Sequence, residues 1–206
     1  MRGAGVARIR HPQPLLAPSP AWDAGDPGRY APAVGRAAHR VIGELAARRD
    51  LTAAELVELA WERAADAVAE AELGRRSRAA RLTVAGAAAV YLRRFLPPPG
   101  WQFLGAELRF ESGARADLGW EADRVLLDEL KLVSARGVPL GEGPTARQAA
   151  AYAEAGRARY GARFAGVRLL FLGAPGRSRL VLPGGRELPL ADTAYEFGTP
   201  PVPEVM

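Results

Sequence analysis

Cysteine is absent from the 206-residue chain. Disulfides, thiolate zinc sites, cysteine-ligated iron–sulfur clusters and cysteine nucleophiles are thereby excluded. Asparagine is also missing, and isoleucine occurs only as Ile9 and Ile42. No apolar run approaches the ~18 residues that span a bilayer; the longest uncharged one is Leu82 to Leu92. A secretory leader is not expected. Arg2, Arg8 and Arg10 look like its basic start, but His11, Pro12, Gln13 and Pro14 interrupt any apolar stretch. The reading is a cytoplasmic protein with no membrane partner. Lysine is nearly missing as well: lysine and arginine total 28, and Lys131 is the sole lysine. Lysine is a compact ammonium on a flexible stem, whereas arginine is a planar fork of fixed charge. A lone lysine against an arginine background asks for a chemical reason.

What is present points to an ordinary folded domain. Hydrophobic residues make up 49% and charged residues 25%, enough for one domain with a full core, or two small ones at most. The net charge of +5 and a pI near 10.2 permit a polyanionic partner without demanding one.

Residues 1–29, rich in proline and glycine, read as an arm without its own core. From Ala33 to Arg48, Val34, Ala38, Val41 and Leu45 share one helical face. A second helix is expected from Thr52 to Leu73. Thr52 and Glu55 would form its capping box, and Gly74 would suit its C-terminus. A third runs from about Ala79 to Phe95, stopped by Pro97, Pro98 and Pro99. After Gly100 the period changes to two. Trp101–Phe110, Arg115–Trp120 and Val125–Val133 read as three antiparallel strands. A glycine-rich loop at Gly137–Pro144 leads to a helix from Ala146 to about Tyr160. Val167–Leu172 reads as a buried strand, and Ser178–Leu182 with Glu187–Leu190 as a final hairpin. Residues 191–206 form a tail. A helix between strands of one sheet implies a parallel crossover. The expected fold is α/β: a mixed central sheet flanked by helices, with a helical region at the N-terminal side.

The third strand contains Asp128-Glu129-Leu130-Lys131. Strand alternation puts Glu129 and Lys131 on one face and Asp128 on the other. Charges inside an apolar strand are costly unless they are paired or bind a metal. Asp117, on the preceding strand, is expected near Glu129 across a hairpin ladder. Two such carboxylates repel unless a cation sits between them, and hard oxygen ligands suit Mg²⁺ or Mn²⁺. A simple surface Glu–Lys pair is the competing explanation.

Asp117, eleven intervening residues and Glu129-Leu130-Lys131 resemble the core signature of the PD-(D/E)xK nuclease superfamily. Gln148-Ala149-Ala150-Ala151-Tyr152 is similar to the QxxxY motif of its RecB-like branch, to which CRISPR-adaptation nucleases also belong. Gly35 to His39 resembles the G-x-x-x-H helix that opens the RecB-like domain. The motifs occur in the family's order and cover roughly 115 of the 206 residues. The missing proline of the superfamily's name is a common departure, and the missing cysteines rule out the iron–sulfur clamp of several relatives. The resemblance implies a restriction-endonuclease-like nuclease domain over residues 30–190, with a helical insertion at about 50–96. It implies Mg²⁺ or Mn²⁺ held by His39, Asp117 and Glu129, and Lys131 acting on the attacking water and the phosphate. Gln148 and Tyr152 would border the metal and the DNA backbone. The partner would be DNA, with a helicase or other complex subunit also open. A non-catalytic DNA-binding subunit is the alternative, and a plain interaction protein a third.

Glu107 remains an extra carboxylate that could equally face solvent. The arginines at 75–81, 93–94 and 157–163 fit phosphate contacts along a groove, and a solvated helix surface explains them almost as well. Trp101, Phe103 and Trp120 are expected in the core.

Overall fold

A computed structural model describes residues 31–72, 77–132 and 144–190. The arm at 1–29, the glycine-rich loop at 137–143 and the tail at 191–206 lie outside the described residues.

Three helices come first. Helix α1, Ala31–Ala46, buries Val34, Ala38, Val41, Ile42 and Leu45 along the expected stripe. Helix α2, Ala53–Glu70, starts at the capping box: the Thr52 hydroxyl accepts the Glu55 N–H, and the Glu55 carboxylate accepts the Thr52 N–H at 2.8 Å. It ends before the expected Leu73. Ala71 is the C-cap, and Glu72, two residues before the Gly74 expected to end the helix, takes a left-handed conformation (φ 51°). Gly74 itself lies outside the described residues. Helix α3, Ser77–Arg94, buries Ala80, Val84, Ala85 and Ala88, small side chains that let it pack closely on both α1 and α2. The Arg49 guanidinium donates to the Pro97 and Pro98 carbonyls and so fixes the exit from this layer.

The sheet has six strands in chain order: β1 Gln102–Arg109, β2 Arg115–Glu121, β3 Val125–Lys131, β4 Phe164–Phe171, β5 Arg179–Val181 and β6 Glu187–Pro189. β1–β2–β3 is an antiparallel meander, and β4–β5–β6 is another. They meet in the parallel pair β3–β4. Parallel neighbours need a long crossover, which helix α4, Pro144–Tyr160, supplies.

Each face of the sheet has its own core. On one side α1, α2 and α3 share a single cluster with Leu118, Trp120, Leu126, Leu130 and Leu170. The helices at 50–96 therefore cover the sheet and share its core. On the other side Ala149, Tyr152 and Ala153 of α4 pack on Leu127, Val167 and Leu169. Trp120 is fully buried, and Trp101 and Phe103 pack at the edge of the first cluster, as expected.

Arg168 gives the buried strand β4 a charge that hydrophobic patterning leaves unexplained. The parallel register sets it beside Asp128, and both are wholly buried. Arg168 Nε and Nη2 donate to the Asp128 carboxylate at 2.5 and 2.6 Å, and Nη1 donates to the Phe95 carbonyl. The Tyr91 hydroxyl and Trp120 Nε1 also donate to Asp128. A buried charge is tolerable only when paired and hydrogen-bonded in this way. The network ties α3, β2, β3 and β4 together beneath the strand that carries Glu129. No described helix is long and apolar enough to cross a membrane.

Candidate metal centre

The site forms where β2 and β3 separate. Their ladder ends at the pair Leu118–Asp128. One residue further, Asp117 turns into the opening and its Oδ2 accepts the Leu130 N–H at 2.7 Å. Asp117 thus caps a backbone donor that the ladder no longer serves, next to Glu129. Strand alternation holds as expected. Asp128 faces the helical layer, whereas Glu129 and Lys131 share the side of α4: Lys131 Nζ donates to Glu129 Oε1 at 2.5 Å and to Gln148 Oε1 of α4 at 2.9 Å.

Gln148 and Tyr152 lie one turn apart on α4. Gln148 Nε2 donates to the Tyr152 hydroxyl at 2.5 Å. That bond orients the amide, leaving its oxygen for Lys131. From the opposite layer, α1 brings His39 Nδ1 to 2.9 Å from Asp117 Oδ1, the distance at which an Nδ1–H donates. All six residues singled out by the motifs stand in one connected chain: His39, Asp117, the Leu130 amide between Glu129 and Lys131, Gln148 and Tyr152.

The electrostatics follow from crowding. Burial and then the neighbouring Asp117 charge push the Glu129 carboxyl up to about 7, only partly offset by Lys131. Burial alone would lower His39, but its bond to Asp117 and the charges of Asp117 and Glu129 outweigh this, and the net direction is upward. Burial and the Glu129 charge raise Tyr152. Glu129 therefore competes for a proton near neutrality, the condition a bound divalent cation would relieve.

Imidazole and carboxylate donors suit Mn²⁺ or Mg²⁺. The group of donors that the structure brings together among the described residues differs from the expected set. His39, Asp117 and Glu107 place one ligand atom each within 4.8 Å of the others. That trio does not include Glu129, whose Oε1 is engaged by Lys131. Glu107 has a left-handed backbone (φ 55°) inside β1, which alternation does not foresee, and its carboxylate pairs with Arg115 at 2.8 Å.

Of the arginines expected near phosphates, Arg75 and Arg76 lie outside the described residues. Arg78, Arg81, Arg93 and Arg94 are exposed. Arg159 donates to the Arg109 carbonyl and covers the Phe110 and Tyr160 rings. Arg163 binds Glu121 and the Ala122 carbonyl. These two side chains serve the fold. Sequence reasoning missed Arg115, which borders the site: its charge reaches Tyr152.

Comparison with protein-family models, with curated proteins and with solved structures finds no match for the chain.

Proposed function

We propose that the chain is a metal-dependent deoxyribonuclease with a restriction-endonuclease-like fold, similar to the RecB-like branch of the PD-(D/E)xK superfamily. One observation carries the reading. Residues from four separate elements, picked from the sequence by motif alone, converge into one contact chain around two carboxylates. A surface Glu–Lys pair would need neither a 4%-exposed glutamate nor a glutamine holding the lysine.

The reaction would be phosphodiester hydrolysis. His39, Asp117 and Glu129 would hold Mg²⁺ or Mn²⁺, which when bound polarises a phosphate oxygen and acidifies a water. Lys131 presents the only ε-ammonium of the chain beside them, placed to orient the attacking water and to offset charge growing on the phosphate. Gln148 keeps Lys131 in place, and Tyr152 fixes the Gln148 amide. A developing negative charge is thus met by a cation already oriented before substrate arrives.

The test is cleavage of linear and circular, single- and double-stranded DNA with Mg²⁺ or Mn²⁺, wild type beside Lys131→Ala. Metal-dependent cutting by wild type that the variant loses is the expected result. Cutting retained by the variant refutes the assignment. DNA binding without any cutting by wild type favours the non-catalytic subunit instead.

A further inference from the structure

We propose that Glu107 is an additional ligand of the divalent-cation site, beside His39, Asp117 and Glu129; the inference rests on the metal-centre reading above.

Three independent features lead there. The first is placement. β1 and β2 pair at Ala106–Leu118 and at Leu108–Ala116, and between these pairs lie Glu107 and Asp117. Leu118 belongs to the core under α1–α3, whereas Leu108 and Ala116 belong to the core under α4. Ala106 also faces α1, since a Cβ added at Gly43 would meet its methyl at 3.0 Å. The two strands therefore exchange faces across this one step. The left-handed conformation of Glu107 makes the exchange on β1. The two carboxylates at the crossing belong to neither core and open toward His39.

The second is the donor set. The trio is not a cluster of surface acids: Asp117 is 7% exposed, and His39 contributes a ring nitrogen. Opposite ligands of a small divalent ion at ~2.1 Å stand ~4.2 Å apart. Adjacent ligands stand ~3.0 Å apart and only one pair of three can be opposite, so donors within 4.8 Å of one another would close inward around the ion. A nitrogen with two carboxylates favours Mn²⁺ over the strictly oxygen-seeking Mg²⁺.

The third is the present partner of Glu107. Arg115 holds it in an exposed ion pair, with side chains 53% and 46% exposed. Such pairs are weak in water. A divalent ion fixed by two further donors outcompetes a monovalent guanidinium, and the released Arg115 stays beside the site with its charge free for a phosphate.

The experiment is calorimetric titration with Mn²⁺ alone on the full chain, comparing wild type, Glu107→Gln, Arg115→Ala and Asp117→Asn, with melting curves to check folding. Glu107 is exposed and its replacement is isosteric, so the fold should persist. Glu107→Gln should weaken Mn²⁺ binding ~10-fold or more, a loss typical of altered metal shells. Arg115→Ala should act in the opposite direction and tighten it, because the competing cation is gone. If both variants bind Mn²⁺ like wild type while Asp117→Asn does not, Glu107 is no ligand and the metal centre still stands. If wild type binds no Mn²⁺, the metal-centre reading and this inference fall together.

Discussion

Gly43 of α1 lies against Ala106 of β1 so closely that a Cβ on the glycine would sit 3.0 Å from the alanine Cβ. His39 is one turn earlier on the same stripe of α1, so this contact sets how near its imidazole comes to Asp117. Glycine inside a helix costs about 1 kcal/mol relative to alanine, and here it allows helix and sheet to approach. Gly43→Val should lift α1 and weaken Mn²⁺ binding together with stability. Gly43→Ala combined with Ala106→Gly moves the methyl from sheet to helix, and should melt at or above the wild-type temperature. A double variant less stable than Gly43→Ala alone would contradict the contact.

Loss of cleavage should separate from loss of DNA binding. Asp117→Asn keeps an acceptor for the Leu130 N–H, so it should fold while losing the metal. Lys131→Ala removes the ammonium and leaves both carboxylates. Each should lower the cleavage rate by about a thousandfold or more, in line with removal of a preorganised charge or a metal ligand. DNA affinity, measured by fluorescence anisotropy at fixed salt, should change by less than about tenfold, because affinity rests mainly on phosphate contacts spread over the surface.

The acid–base behaviour has a definite sign. The folded Glu129 carboxyl titrates near 7, against 4.5 for the free group. Its stabilising contribution is complete below pH 4.5 and is lost as pH rises through about 7. His39, also raised, acts in the same direction. Metal-free protein should therefore lose stability on going from pH 5 to pH 8, by up to about 3 kcal/mol from Glu129. Glu129→Gln should flatten the profile. Mn²⁺ affinity should run the other way, rising with pH across 7, since the ligands must shed their protons. Melting curves with and without Mn²⁺ check both; a flat metal-free profile contradicts the crowding of Glu129.

Breaking the buried pair should be among the most damaging single changes. Arg168→Met leaves Asp128 fully buried without its partner charge, and removal of one partner of such a pair costs about 3–5 kcal/mol. Asp128→Asn/Arg168→Met should recover much of that loss, because no buried charge remains. Chemical denaturation of the double variant beside both single variants, Arg168→Met and Asp128→Asn, measures it, and additive losses would show that the pair does not act as a unit.

The sequence carried a large part of this architecture, for reasons that vary by element. Capping, proline stops and the change of period at Gly100 place α2, α3 and the meander, because those signals are local. Alternation alone separates Glu129 and Lys131 from Asp128, and the structure keeps that separation. The partner of Asp128 was not legible. Arg168 reaches it only through the parallel register that α4 imposes after a crossover of more than thirty residues. Glu107 was ambiguous for a related reason. Its direction depends on a left-handed φ at a non-glycine residue, which no propensity announces. Gly43 was silent because close packing between layers leaves no periodic trace.

The solitary ε-amine of Lys131 turns a compositional oddity into an experimental handle. Its side chain is 23% exposed while held by Glu129 and Gln148. Reductive methylation with an isotopic label would place its side-chain spectroscopic reporter inside the candidate centre, with no engineered residue. Lys131 is the only lysine, so the reagent labels just this ε-amine and the N-terminal α-amine, and a change in the ε-dimethylamine signal on adding a cation or an oligonucleotide would report on the candidate centre.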